Sequence, residues 1–159
     1  MWPGPLTVIL PASDAISTVA RAGLDSVGIR IPDCELAIAL IKRSGVPIAA
    51  PSANISTRPS STDSEHLKHD FNGKVDAIFN GGRTRFGIES TVILPQGNKC
   101  TILRPGIYTE DDFKGIFDKV VFSEDNEQSP RSPGSKYRHY SPRKETLPSR
   151  FCRRIAKNI

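Results

Sequence analysis

Several features that would mark common protein classes are scarce or missing. The longest apolar run, Leu36–Ile41, is six residues, against the roughly 20 needed for a bilayer-spanning helix. A transmembrane helix and a membrane partner are therefore not expected. Met1-Trp2-Pro3-Gly4-Pro5 lacks the charged-then-apolar order of a signal peptide. The cysteines, Cys34, Cys100 and Cys152, are widely spaced and form neither a CxxC pair nor a disulfide framework. That suits a reducing, cytoplasmic setting. The histidines, His66, His69 and His139, give no HExxH. His66 and His69 stand at helical i,i+3 spacing without a third ligand nearby, so they read as exposed helical residues and no metal site is assigned. No G-x-S-x-G elbow and no Ser–His–Asp order is present, so no protein nucleophile is implied.

The remaining composition describes a soluble domain. Hydrophobic residues are 37% and charged residues 25% of 159, which supports a modest core and excludes a fully disordered chain. The net charge of +5 is unevenly placed. Residues 131–159 hold nine Lys/Arg and one acid, a net of +8, and residues 1–130 hold 13 Lys/Arg and 16 acids, a net of −3. The basic tail either attracts nucleic acid or phosphates, or is simply solvated.

Patterning predicts a mixed α/β domain over residues 1–122, a linker over 123–142 and a basic, disordered tail over 143–159. Strands are predicted at Leu6–Leu10, Ser26–Ile31, Val46–Ala50, Val75–Phe79, Ser90–Leu94, Cys100–Leu103 and Lys119–Phe122. Pro95-Gln96-Gly97-Asn98 marks a hairpin. Asp33 is the expected cap of a helix over Cys34–Ser44, with Gly45 as its stop. Thr62-x-x-Glu65 reads as a capping box opening a second helix. Thr109-x-x-Asp112 opens a third, running to about Phe117.

Four segments carry candidate chemistry. Pro51-Ser52-Ala53-Asn54 is either a ligand loop at a strand end or a plain turn. Gly87-Ile88-Glu89-Ser90-Thr91-Val92 offers a binding hydroxyl. Arg104 in Leu103-Arg104-Pro105-Gly106, like Arg30, suits a phosphate or carboxylate, and a surface salt bridge equally well. Ser132–Pro142 gathers two tyrosines, His139 and two cations, which suit base stacking and phosphate contact, or a docking role. Asn54-Ile55-Ser56 fits a glycosylation sequon, but nothing suggests secretion.

Taken in order, Trp2-Pro3-Gly4-Pro5-Leu6-Thr7, Arg30-x-Pro32, Pro51-Ser52-Ala53-Asn54 with Arg58-Pro59-Ser60, Glu89-Ser90-Thr91-Val92 and Leu103-Arg104-Pro105-Gly106 resemble the YrdC-like domain of threonylcarbamoyl-AMP synthases. Ser132-Pro133-Gly134-x-Lys136-Tyr137-Arg138-His139-Tyr140-x-Pro142 is similar to the linker of that family's long members, and argues against the related carbamoyl-transfer domains of hydrogenase maturation proteins. The resemblance covers residues 1–142. It implies an α/β fold with a YrdC-like twisted mixed sheet and flanking helices, incomplete at the N-terminus.

The activity it implies is a nucleotidyltransferase reaction. L-threonine, bicarbonate and ATP would give L-threonylcarbamoyladenylate and pyrophosphate, with Mg²⁺ accompanying ATP. The product feeds a threonylcarbamoyl-transfer complex that modifies position 37 of tRNAs reading ANN codons. By the same resemblance, Ser26, Ser52, Ser60, Arg104 and His139 would hold ATP, and Arg30, Ala50 and Ser90 would hold L-threonine. The family's cation-rich N-terminal portion and second domain have no counterpart in the motifs present. Thr57 replaces a usual glycine and Ser135 a usual methionine. The alternative implied is a catalytically inactive module that binds nucleotide, tRNA or double-stranded RNA.

Overall fold

The computed structural model describes residues 1–56 and 58–123. Thr57, the linker, His139 and the basic tail lie outside them. The described chain runs β1 (Leu6–Pro11), β2 (Ser26–Ile29), α1 (Glu35–Ser44), α2 (Ser64–Phe71), β3 (Thr91–Gln96), β4 (Lys99–Arg104), a short 3-10 turn (Glu110–Phe113) and β5 (Lys119–Phe122). The strands form one mixed sheet in the order β2-β1-β3-β4-β5. β1 is antiparallel to β2 and parallel to β3, β3 is antiparallel to β4, and β4 is parallel to β5. The expected mixed sheet is therefore present.

Alternation along the strands decides which face is core. Leu6 and Val8 on β1 share a face with Ile93 on β3 and with Ile102 and Cys100 on β4. These residues form a cluster with Phe113, and Tyr108, Phe117 and Val120 close over it. Phe113 is only 1% exposed. The predicted start at Thr109-x-x-Asp112 is present and is closed by a capping box, but it opens one 3-10 turn that ends at Phe113 and no helix to Phe117. Once Phe113 is seated in the core, the chain leaves as β5 beside β4.

The hairpin is tighter than predicted. Both Pro95 and Gln96 belong to β3, and Gln96 pairs with Lys99. The turn is Gly97-Asn98, where Gly97 takes φ +57°, a conformation that favours glycine.

Two predicted strands are absent. Residues 46–50 and 75–79 run outside the sheet. Val46, Ile48, Val75 and Phe79 are exposed, and no ladder partner flanks either segment among the described residues. An apolar run becomes a strand only where its backbone groups find a ladder, and Pro47 also removes a donor from the first segment. Two caps also shift by one residue. Cys34, not Asp33, occupies the N-cap of α1 and makes no side-chain cap bond, while Asp33 faces Arg85 at 3.7 Å. Asp63, not Thr62, caps α2 by accepting from the Glu65 backbone N–H at 3.1 Å. That bond holds the Asp63 carboxyl below its ordinary pKa.

Candidate functional site

The strand directions gather four chain segments at one end of the sheet. β1 and β3 begin there, and β2 and β4 end there. Arg30, Thr7, Glu89, Ser90 and Arg104 are consequently neighbours, although the sequence spreads them over 98 residues.

A β-bulge aims the central arginine. Val92 pairs with Arg104, whereas Ile93 pairs with Ile102, leaving Leu103 as the extra residue. Without it, simple alternation would send Arg104 to the core face with Ile102. With it, Arg104 shares the face of Val92 and Thr7. Bulges commonly redirect a side chain in this way next to functional sites.

The following turn fixes the end of the strand. Thr91, fully buried, donates through Oγ1 to the Tyr108 carbonyl at 3.2 Å and accepts from the Tyr108 N–H at 3.0 Å. Gly106 lies directly against this strand. A Cβ there would strike the Thr91 backbone nitrogen and come within 2.7 Å of the Glu89 carbonyl oxygen.

Arg104 spends its guanidinium on the start of β3. Its Nε and one terminal nitrogen donate to the Ser90 carbonyl at 3.1 and 2.9 Å, and the latter also reaches Ser90 Oγ at 3.0 Å. The other terminal nitrogen pairs with the Glu89 carboxylate. Burial draws the Arg104 pKa below its ordinary value, Glu89 opposes that, and the nearby charge of Arg30 adds to the lowering. Two cations are thus held close together with one carboxylate between them and the loop described next. Arg30 is itself anchored by donating to the Gly4 carbonyl at 3.1 Å. Ser90 Oγ meets Thr7 Oγ1 at 2.9 Å.

The loop after α1 reaches this cluster through Ser60, whose one hydroxyl proton is shared between Glu89 Oε1 at 3.2 Å and Asn54 Oδ1 at 3.4 Å. Asn54 braces the loop internally by donating to the carbonyls of Ile55 and Arg58 at 3.1 and 2.9 Å. Arg58 pins it to α2 through Asp70 at 2.9 Å. His69 also bonds Asp70 at 3.0 Å. These two partners, His69 first, hold the Asp70 carboxyl below its ordinary pKa against the opposing effect of burial. Between loop and helix lies a groove of about 440 Å³ lined by Arg58, Ser60, Thr62, His66, His69 and Asp70.

Of the residues singled out from the sequence, the structure brings together Arg30, Ser60, Ser90 and Arg104. Ala50 and Ser52 lie exposed on the approach to the same loop, without a hydrogen bond to the cluster. Ser26 stands in register with Pro11, at the other end of β2 from Arg30. His139 is outside the described residues. No group of three His, Cys, Asp or Glu gathers to hold a metal among the described residues. His66 and His69 fall on α2 at the predicted spacing. The sequence reading gave no role to Glu89 or Thr7, although each sits inside a motif it singled out.

The geometry defines a class: a mixed α/β domain with a cationic, hydroxyl-lined site where strand ends converge. Comparison with known proteins narrows this. The family model Sua5_yciO_yrdC, described as Telomere recombination, matches residues 1–106. A second model, the threonylcarbamoyl-AMP synthase C-terminal domain, matches residues 101–152, so part of the stretch in which the sequence shows no counterpart of that domain does match it. The chain belongs to the Sua5/YciO/YrdC family.

Threonylcarbamoyl-AMP synthase of Bacillus subtilis is 45% identical over 155 residues, covering 95% of this chain and 44% of that protein. The Pyrococcus abyssi enzyme of the same name is 42% identical, with 92% and 44% covered. The Schizosaccharomyces pombe enzyme is 40% identical, with 92% and 39% covered. The crystal structure of P. abyssi Sua5 complexed with L-threonine superposes with a TM-score of 0.82 at 40% identity, covering 99% of this chain and 48% of that one. The chain therefore spans less than half the length of these relatives. No helix among the described residues is long and apolar enough to cross a membrane.

Proposed function

We propose that this chain carries the nucleotide and amino-acid sites of an L-threonylcarbamoyladenylate synthase, a nucleotidyltransferase acting in the cytoplasm. The observation that carries the reading is the convergence of Arg30, Ser60, Ser90 and Arg104 at one end of the sheet. The relatives' name and the L-threonine in the P. abyssi complex support the same substrates.

The reaction joins three substrates. The threonine amine bonds to the bicarbonate carbon with loss of water. A carbamate oxygen then bonds to the α-phosphorus of ATP as pyrophosphate departs. Bicarbonate, the carbamate formed from it and ATP are anionic, and L-threonine brings a carboxylate, so a main obstacle is bringing like charges together. Arg30 and Arg104 would offset that repulsion, and the serine hydroxyls would hold oxygens in place without changing protonation. Positioning and neutralisation of this kind need no protein nucleophile. Ser60 and Arg104, with Ser26, Ser52 and His139, would hold the nucleotide. Arg30, Ser90 and the Ala50 backbone would hold L-threonine. Mg²⁺ would arrive as part of the MgATP substrate. The basic segment 131–159, net +8, supports an encounter with tRNA or double-stranded RNA, and the product would pass to the complex that modifies tRNA position 37.

The test is calorimetric titration of the purified chain with MgATP and with L-threonine, followed by pyrophosphate release in bicarbonate. Saturable binding of both ligands and threonine-dependent release are expected. A folded chain that binds neither ligand would overturn the reading.

A further inference from the structure

Among the described residues Glu89 is the carboxylate that touches both halves of the proposed site, and nothing in the reaction calls for it to react. One of its oxygens accepts from the Ser60 hydroxyl at 3.2 Å, and the other pairs with Arg104. Ser60 belongs to the loop after α1, while Arg104 ends β4. The two come from parts of the chain that share no strand pairing. Glu89 itself leads directly into β3, the central strand of the sheet, and so has a rigid base.

The two halves differ in how they are tied. Ser90, on the amino-acid side, is held by Arg104 and also by Thr7, and the Thr7 contact does not pass through Glu89. Ser60, on the nucleotide side, meets the sheet end through Glu89. We infer that Glu89 is a positioning residue that sets the spacing between the Ser60 loop and the Arg104 guanidinium, and so governs nucleotide affinity while leaving L-threonine affinity nearly unchanged. The inference rests on the proposed assignment of Ser60 and Arg104 to ATP.

The charge on Glu89 makes its role separable from plain electrostatics. A carboxylate beside a triphosphate repels it, so if charge were its main contribution, removing that charge would tighten binding. If reach is what matters, a shorter carboxylate is the damaging change, because it keeps the charge but cannot span both partners.

The experiment compares Glu89→Asp, which keeps the charge and loses the reach, with Glu89→Gln, which keeps the reach and loses the charge. Calorimetry with MgATP and with L-threonine is the readout. Glu89→Asp should weaken ATP binding about tenfold and L-threonine binding less than twofold. Glu89→Gln should weaken ATP binding no more than about threefold. ATP affinity unchanged in Glu89→Asp, equal losses for both ligands, or tighter ATP binding in Glu89→Gln would each overturn the inference.

Hydrogen exchange on the ligand-free chains supplies a readout that needs no nucleotide. The Arg58 amide, which donates to the Ile55 carbonyl at 3.0 Å, should lose protection in Glu89→Asp, while the amides of β3 and β4 keep theirs. Unchanged exchange in the loop would overturn the positioning role even if the wild-type chain bound no ATP. Lost loop protection in a chain that binds no ATP would leave the tether standing and refute the functional assignment instead.

Discussion

The sheet and the crossover between β2 and β3 are built on different terms. The sheet buries Leu6, Ile93, Cys100, Ile102 and Phe113 in one continuous cluster. In the crossover, α1 has no buried residue at all, and Leu36 and Leu40 stay 42% and 48% exposed. Among the described contacts, polar bonds join the crossover's loop to the foot of β3 (Ser60 to Glu89) and brace it internally (Arg58 to Asp70, Asp33 to Arg85). The fold is thus set by apolar burial in one region, and the shape of the site by hydrogen bonds and ion pairs in the other. Stability and ligand affinity should respond to different substitutions.

The strongest way to break this comparison is to empty the core. Phe113→Ala should cost about 3–5 kcal/mol, the usual range for deleting a buried aromatic ring, read as a lower urea midpoint. A small loss would mean that the 3-10 turn is dispensable to the sheet. Gly106→Ala should cost about 1–3 kcal/mol, typical of overpacking, because the new methyl meets the Thr91 backbone. It should also lower ATP affinity by displacing Arg104, so that a core-side change reaches the proposed site.

The third prediction concerns pH. The Asp70 carboxyl titrates below its ordinary value because of His69 and Arg58. A carboxyl whose pKa is lowered by folding contributes stability above its unfolded pKa and loses it as pH falls through the folded one. Anchoring of the 52–61 loop should therefore be complete at neutral pH and disappear in acid. Hydrogen exchange at low pH should show the loop losing protection before the β3–β4 hairpin does, and Asp70→Asn should remove that order. The smallest effect belongs to α1. Leu40→Ala should shift stability by no more than about 0.5 kcal/mol, as expected for an exposed position. A larger loss would show that α1 is packed against something, and the comparison would need redrawing.

Five strands were legible in the sequence because their apolar residues alternate and turn residues bound them. Leu6–Pro11 and the 91–104 hairpin fall within two residues of their predicted limits. The runs 46–50 and 75–79 show what alternation leaves out. They have strand composition, but pairing is a property of two segments, and one segment cannot report whether its partner is present. The same limit hid the bulge at Leu103, since an extra residue exists only relative to the strand opposite. It also hid Glu89. An acid in a site for anions is hard to credit from composition, and only the contacts to Ser60 and Arg104 give it a role. The convergence of Arg30, Ser60, Ser90 and Arg104 came instead from the resemblance of whole motifs, which carries spatial information that no single motif holds.

The parallel pairing of β1 with β3 also sets a schedule for synthesis. Leu6 pairs with Thr91, about 85 residues later in the chain. At roughly 5–20 residues per second, β1 emerges about 4–17 seconds before that partner exists. Its other edge is satisfied sooner, because Pro11 meets Ser26 within a few seconds on the same scale. For the remaining interval the nascent chain holds a two-stranded ribbon with one open edge and an apolar face carrying Leu6 and Val8. Ribbons of this size are barely stable alone, and an open edge invites pairing with other chains. The topology that assembles the site therefore keeps one edge of β1 waiting for its partner until the crossover has been made.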